Sequence, residues 1–376
     1  MTWNWQLKGW PAFQWKASIL ASEERRFIEN AAITIGARRH LDPADREVLD
    51  IELLSHDALS TSAIEGEMLD RASVQSSLRK QLGLSSASVT SRPAEAGIAE
   101  MMADLYRSPA SPLTHDSLFA WHRMVMNGRR DIAEIGGYRR HEEAMQIVSG
   151  ALGQERVHFE APPSPRVPAE MAAFLDWFAQ TAPAGAAPLP PLARAAIAHL
   201  WFESIHPFED GNGRLGRAIA EKALAQGTTI SSFTGLSGTL LRYRRDYYAA
   251  LEQHSTSLQI DDWLRWFAAR VLEAQADADR LVRFLIEKAH LLRRLEDTIN
   301  PRQEKALLRM FAEGPAGFKG GMSARNYAAI TGAAPATVTR DLSDLVDQGV
   351  LRRSGERKGT RYWLAIADAG ETRGQP

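Results

Sequence analysis

Twelve consecutive residues, His206-Pro207-Phe208-Glu209-Asp210-Gly211-Asn212-Gly213-Arg214-Leu215-Gly216-Arg217, gather a base, a hard oxygen ligand, a glycine-rich turn and two guanidinium groups. An unperturbed imidazole has a pKa of about 6.5, so His206 can take a proton near neutrality. Asp210 is a carboxylate of the kind that holds Mg²⁺ carried by a nucleotide. Gly211 and Gly213 flank Asn212, so backbone N–H groups can point into one concavity, and a helix starting there adds its positive end. Arg214 and Arg217 then share a face one turn apart, with forks that suit phosphate oxygens. A merely solvated Gly-Asn-Gly turn would need none of these neighbours; the set is equipped for phosphate chemistry.

Helices must hold this loop. Residues 192–204 are predicted helical, with Ile197, Leu200 and Trp201 as an apolar stripe, and Pro207 ends the helix because proline disfavours helix at the residue before it. Residues 212–225 are predicted as the next helix, with Leu215, Ile219 and Leu224 facing inward. His206 is thereby set in the loop between two buried helices. Upstream, 113–127 is expected to be the first helix of this core, started around Ser111-Pro112 and broken by Gly136-Gly137-Tyr138-Arg139. Met145 and Ile147, then Val157 and Phe159 beyond a Gly150/Gly153 turn, alternate as in a β-hairpin. Pro162, Pro163, Pro165 and Pro168 stop that strand, Pro168 suits the first turn of a helix through Phe174 and Trp177, and 182–191 is a linker.

Before this core, residues 23–82 carry apolar positions at helical spacing, among them Val48, Ile51, Leu53, Leu54 and Leu59, and 85–93 is a Ser-rich connection. Trp3, Trp5, Trp10 and Trp15 fit no single face and are expected to anchor the N-terminal segment onto the body or onto a second subunit. After about residue 300, helices at 304–311, 323–330 and 336–346, the last with Val338, Leu342 and Leu345 inward, precede strands at 350–353 and 360–364 around Gly355-Glu356-Arg357-Lys358-Gly359. This order resembles a winged helix. Arg352, Arg353, Arg357, Lys358 and Arg361 could meet phosphates, but Asp341, Asp344 and Asp347 line the helix that would enter a groove, so DNA binding is not favoured over a protein-interaction or dimer-supporting role. The expected fold is mainly α: a helical core with a β-hairpin, plus a C-terminal winged-helix domain. Its parts are an N-terminal helical region (1–92), a catalytic domain (112–270), a connecting helix (271–300), the winged-helix-like domain (301–366) and a flexible tail (367–376).

At 376 residues the chain has room for two or three domains. Lys plus Arg is 45 against 46 for Asp plus Glu, a balance that points to neither a nucleic-acid nor a membrane partner. The absence of cysteine excludes disulfides and thiolate chemistry. No basic-then-apolar leader opens the sequence and no apolar run nears the ~20 residues that span a bilayer, so a cytoplasmic protein is expected.

The string 206–217 matches every defined position of HPFx(D/E)GN(G/K)RxxR and thus resembles the Fic (Fido) family of protein adenylyltransferases. Thr61-Ser62-Ala63-Ile64-Glu65-Gly66 resembles the inhibitory motif (S/T)xxxE(G/N) found in relatives. The tryptophan-rich opening is also similar to an N-terminal domain of many Fic proteins. The resemblance implies transfer of AMP from ATP, with Mg²⁺ held by Asp210, to a Tyr, Thr or Ser hydroxyl of a target protein or of the chain itself. His206 would be the general base. Gly211, Asn212 and Gly213 would carry the phosphates, with Arg214 at the β- and Arg217 at the γ-phosphate. The flap, 147–159, would dock the target segment by strand addition. Glu65 would inhibit by pairing with Arg217, or position a water for removal of AMP. Tyr247 and Tyr248 would wall the adenine, although a Tyr pair on a helix also suits a core. Gly213 speaks against phosphate transfer, which goes with lysine there; phosphocholine transfer and a homodimer stay open. A second reading, a DNA-binding regulator with the Fic core as nucleotide sensor, rests on the winged helix. His199 is read as a packed helix residue, since no clear third ligand accompanies it and His206; His141 and His158 belong to the flap and its approach.

Overall fold

A computed structural model of the chain describes residues 2–84, 90–149, 156–228, 234–315 and 317–366. By contacts it divides into two compact units, residues 1–35 with 50–276, and 36–49 with 277–376. Its helices begin with α1 (Ala21–Arg38), α2 (Pro43–Ile64) and α3 (Arg71–Gln81), followed by α4 (Pro93–Arg107) and α5 (His115–Val125). The hairpin β1 (Gln146–Ser149) and β2 (Arg156–Glu160) comes next, then α6 (Val167–Gln180), α7 (Pro191–Ile205), α8 (Asn212–Gln226), α9 (Leu236–Arg242), α10 (Arg244–His254) and α11 (Asp261–Leu295).

The first unit is built around α7 and α8, which pack on each other more extensively than any other two helices. Proline starts α7 where no N–H is needed, and Pro207 follows its end. The expected apolar stripe on α7 is not what the structure has: every residue but Pro191 and Glu203 is buried, because α6, α8 and the aromatic cluster of Phe174, Phe202, Phe208, Trp263 and Phe267 surround it. Gly211 caps α8 at φ +82, and a Cβ there would lie 2.9 Å from the Met126 side chain, so the turn into α8 accepts only glycine without strain. The core helix expected at 113–127 is α5, capped by Thr114, whose hydroxyl accepts from the Ser117 amide. α4, which no expectation covered, packs between α3 and α5.

β1 and β2 pair antiparallel, with a register irregularity between Ile147 and Val148. The turn with Gly150 and Gly153 lies outside the described residues. Ile147, Val148 and Val157 are exposed, whereas Phe159 is buried edge-on against Trp3 at 5.4 Å and the Trp5 indole donates to the Glu160 carbonyl at 2.7 Å. The N-terminal tryptophans thus fasten the inner end of the hairpin.

In the second unit α12 (Pro301–Phe311), α13 (Ala324–Thr331) and α14 (Pro335–Asp347) precede the hairpin β3 (Leu351–Ser354) and β4 (Arg361–Leu364), the element order of a winged helix. Asn300 and Ser323 cap α12 and α13 through side-chain oxygens. The acidic line expected on the third helix is corrected at Asp341 alone. Asp341 is buried and accepts from Arg302 at 3.0 Å and from the Tyr327 hydroxyl at 3.1 Å, and Asp344 accepts from Gln303 at 2.7 Å. Asp341 is thus turned into the neighbouring helices, whereas Asp344 and Asp347 stay exposed on the helix surface. Residue 270, expected as a domain edge, lies inside α11, and the tail 367–376 lies outside the described residues. Among the described residues no helix is long and apolar enough to cross a membrane.

Candidate active site

His206 caps the C-terminal end of α7 in a left-handed conformation, φ 49° and ψ 60°, and its amide still donates to the Phe202 carbonyl at 3.0 Å. Burial, followed by the positive charge of Arg139, pulls its imidazole down to about 4, against the opposing influence of Glu65, Glu203 and Asp210. The ring is therefore neutral at pH 7 and able to accept a proton. One turn earlier on α7, the Glu203 carboxyl lies 3.7 Å from His206 Nδ1, beyond hydrogen-bond length. Burial pushes Glu203 up to about 8, with Arg217 opposing and Glu65 reinforcing the shift, so it is protonated at neutral pH. No sequence expectation included Glu203; its place three residues before His206 on a helix was the available signal.

The loop from Phe208 to Asn212 is closed by its own side chains. Asn212 accepts from the Phe208 amide at 2.9 Å and donates to its carbonyl at 2.8 Å, so its side chain ties the loop and leaves only its backbone for a ligand. The Asp210 carboxylate accepts from the Gly211 amide at 2.6 Å, which takes that N–H out of the expected anion cradle. His122, also missed by the sequence reading, stacks on Phe208 at 4.2 Å. Its Nδ1 accepts from the Gly136 amide at 2.9 Å, so the proton sits on Nε2, 3.2 Å from the Asp210 carbonyl. Burial lowers His122 to about 4, in keeping with that neutral tautomer. The second oxygen of Asp210 accepts from Arg129 at 2.7 Å, and Arg129 is held in turn by Asp131 at 2.6 Å.

Both motif arginines meet carboxylates from the turn that follows α2. Arg217, 1% exposed, donates to the Thr61 hydroxyl at 2.7 Å, the Thr61 carbonyl at 3.0 Å and Glu65 at 2.7 Å. Burial alone would lower its pKa, but Glu65, Tyr247 and Glu203 raise it overall, so the guanidinium is firmly charged. Arg214 donates to Glu67 at 2.8 Å; burial lowers its pKa, with Asp210 and Glu67 resisting. Gly213 makes room for this arrangement: a Cβ there would lie 2.2 Å from a Glu65 carboxylate oxygen and 3.0 Å from Arg217 Nη1.

The two tyrosines part company. Tyr247 is buried, with its hydroxyl 2.8 Å from His199 Nε2, and belongs to the core. Tyr248 is 41% exposed, donates to the Ile64 carbonyl at 3.3 Å and lies beside Glu65 at the rim. His199, stacked on Trp263, is a packed residue as the sequence reading had it, and no group of three or more His, Asp or Glu among the described residues could hold a metal. On the flap, His158 and Arg156 both reach Glu252 of α10, at 3.0 and 2.5 Å, and His141 bonds locally to the Glu143 carbonyl.

Residues 112–224 match the Fic/DOC family, and residues 3–84 match a domain of unknown function, DUF4172. Over 224 residues the chain is 27% identical to a protein adenylyltransferase Fic of Nematostella vectensis, covering 58% of this chain and 47% of that protein. Over 117 residues it is 29% identical to a probable protein adenylyltransferase of Aquifex aeolicus, covering 31% of this chain and 30% of that one. The chain thus spans less than half the length of these curated relatives. A crystal structure of a Fic family protein from Desulfovibrio desulfuricans G20 shares the fold, with a TM-score of 0.53, 21% identity and coverage of 97% of this chain and 99% of that one.

Proposed function

We propose that this chain, whose residues 112–224 form a Fic/DOC family domain, is a protein adenylyltransferase that moves AMP from ATP to a hydroxyl of a target protein or of itself, and that its resting form is self-inhibited. The observation that carries this reading is the capping of both motif arginines by carboxylates, Arg217 by Glu65 and Arg214 by Glu67. A carboxylate satisfies the same fork as a phosphate, so sites filled internally by Glu65 and Glu67 are sites shaped for phosphate oxygens.

In the proposed reaction the target hydroxyl attacks the α-phosphorus. A new P–O bond forms, the bond to the bridging oxygen breaks, pyrophosphate leaves and His206 receives the hydroxyl proton. A neutral, buried imidazole supports that role. Arg214 and Arg217 would hold the β- and γ-phosphates, the Gly213 and Asn212 backbone would line the phosphate path, and Tyr248 at the rim would face the adenine. Tyr247 is withdrawn from that contact because its hydroxyl and ring are committed to His199 and the core.

Asp210 fits a nucleotide-carried Mg²⁺ and not a protein-only cage: it is a single, 38% exposed carboxylate, and the nearby Arg129 and Arg214 would compete with an ion that did not bring its own phosphates. When bound there, the ion would offset charge on the phosphates and the leaving pyrophosphate. Asp210 must then give up Arg129, whose own second partner, Asp131, keeps it close.

Inhibition follows from competition for Arg217. Close charge pairs are coupled by about 1.5–7 kcal/mol, and Glu65 is partly exposed, so the lower part of that range applies. AMP transfer from α-labelled ATP is the test. Glu65→Gly is expected to label at least about tenfold faster than wild type, with the signal gone in Glu65→Gly/His206→Ala. Equal rates in wild type and Glu65→Gly would remove the brake, and labelling that survives His206→Ala would remove the base.

A further inference from the structure

The segment Gly136-Gly137-Tyr138-Arg139, which in sequence only marks a break, supplies a buried cation beside the proposed base. Arg139 is 1% exposed, and among the described residues its side-chain partners are all uncharged oxygens. Its Nε donates to the His206 carbonyl at 2.8 Å, and one Nη reaches the carbonyls of Ile205 at 3.4 Å and Pro162 at 2.5 Å. The other Nη donates to the Ser164 hydroxyl at 2.9 Å, and that hydroxyl donates onward to the His141 carbonyl at 2.8 Å. The backbone joins in, since the Arg139 amide donates to the Pro207 carbonyl at 3.0 Å. One side chain therefore binds the last carbonyls of α7, the negative end of that helix, and the strand leaving β2.

His206 itself sits in the left-handed region, which a residue with a Cβ avoids unless its surroundings hold it there. Arg139 is that holder, because a planar fork can fix the Ile205 and His206 carbonyls at once and a lysine ammonium cannot fix them in one plane. The titratable and charged groups that face the imidazole are Arg139, Glu65 from the turn after α2, Glu203 on α7 and Asp210 in the following loop. Of these, Arg139 alone is positive.

We propose that Arg139 is the positioning residue for His206: its fork fixes the backbone of the base, its charge opposes a resting proton on the ring, and its second arm links both to the foot of the flap. This rests on His206 being the base, as proposed above. It makes the flap foot and the base one mechanical piece, so a target strand added to the hairpin would press against a histidine already set.

The closing experiment reads His206 directly and reads activity separately. Arg139→Met and Arg139→Lys are made in the Glu65→Gly background, and His206 is followed by its ring Cε1–H resonance as pH is lowered, assigned by loss in His206→Ala. In Arg139→Met the His206 midpoint is expected to rise by about one pH unit or more, because a close like charge has gone. Arg139→Lys keeps the charge and should leave the midpoint near that of the parent. In transfer assays both variants should lose kcat, by about 100-fold for Arg139→Met, since small misplacement of a base is costly. The KM for ATP should stay within about twofold, because Arg139 touches neither motif arginine. The acid limb of kcat/KM should move with the resonance. An unchanged midpoint in folded Arg139→Met overturns the electrostatic part; if that variant does not fold, Arg139→Lys with parental kcat overturns the positional part. Should no form transfer AMP, the titration still decides whether Arg139 governs His206, while the proposed activity fails by itself.

Discussion

The α7–α8 pair and the α12–α14 cluster are both helices joined by short turns around an apolar core, yet they differ in how many charged side chains they bury. Around α7 and α8 the interior holds Arg139, Arg194, His199, Arg214, Arg217, Glu221 and Lys222, each nearly inaccessible. In the second unit Leu307, Met310, Val338, Leu342 and Leu345 fill the core, with Gln303 and Asp341 as its buried polar side chains among the described residues. Burying charge is expensive unless every group is paired. The first region meets that demand in part: Lys222 donates to the carbonyls of Ser108 and Pro109, both at 3.0 Å, and Glu221 accepts from the Thr234 hydroxyl and the Leu236 amide, while Arg214 Nε and Arg217 Nη1 are buried without a hydrogen-bond partner among the described residues. The comparison teaches that a charged interior accompanies the proposed active site, whereas the amphipathic cluster is held together mainly by apolar packing.

Removing one charge from each region should separate the two roles. Arg217→Met is expected to have the largest effect: ATP affinity falls by more than about tenfold, and unfolding stability falls by about 3 kcal/mol because Thr61 and Glu65 lose their partner. Calorimetric nucleotide titration and denaturant unfolding check both, and a more stable Arg217→Met would break the comparison. Asp341→Asn comes next, at about 2 kcal/mol, since Arg302 would lose its carboxylate. Its nucleotide binding should not change; if binding falls too, the second unit is not a purely structural element. The smallest change is expected from Glu67→Gln. Glu67 is 37% exposed, and such pairs are worth under about 1 kcal/mol, so ATP affinity should rise no more than about fivefold and the gain should fade with added salt. A gain as large as that of Glu65→Gly would mean that Arg214, not Arg217, is the arginine that matters for the brake.

How much could be read from the sequence follows the same division. The second unit was legible because its helices alternate apolar and polar positions and its caps are local, Asn300 and Ser323. The motif helices were legible through their apolar positions and through Pro207, whose backbone effect needs no partner. What escaped lies in pairings across long stretches of chain. Arg129 reaches Asp210 from 81 residues away, His122 reaches it from 88, and Arg139 reaches His206 from 67. No periodicity carries such information. Asp341 was misread for a related reason: its spacing with Asp344 and Asp347 suggests a wet acidic face, and Arg302, the residue that makes its burial tolerable, sits 39 positions earlier. Tyr247 and Tyr248 show the limit most simply, since adjacent identical residues point to core and rim.

The left-handed backbone at His206 makes the fold and the chemistry disagree about one position. Judged by conformation alone, residue 206 belongs to glycine, which would sit there with about 1 kcal/mol less strain. A screen for thermal robustness would thus be drawn toward glycine at 206 and would discard the imidazole in the same step. Under the proposed mechanism, any search for a sturdier form of this protein has to hold that residue fixed.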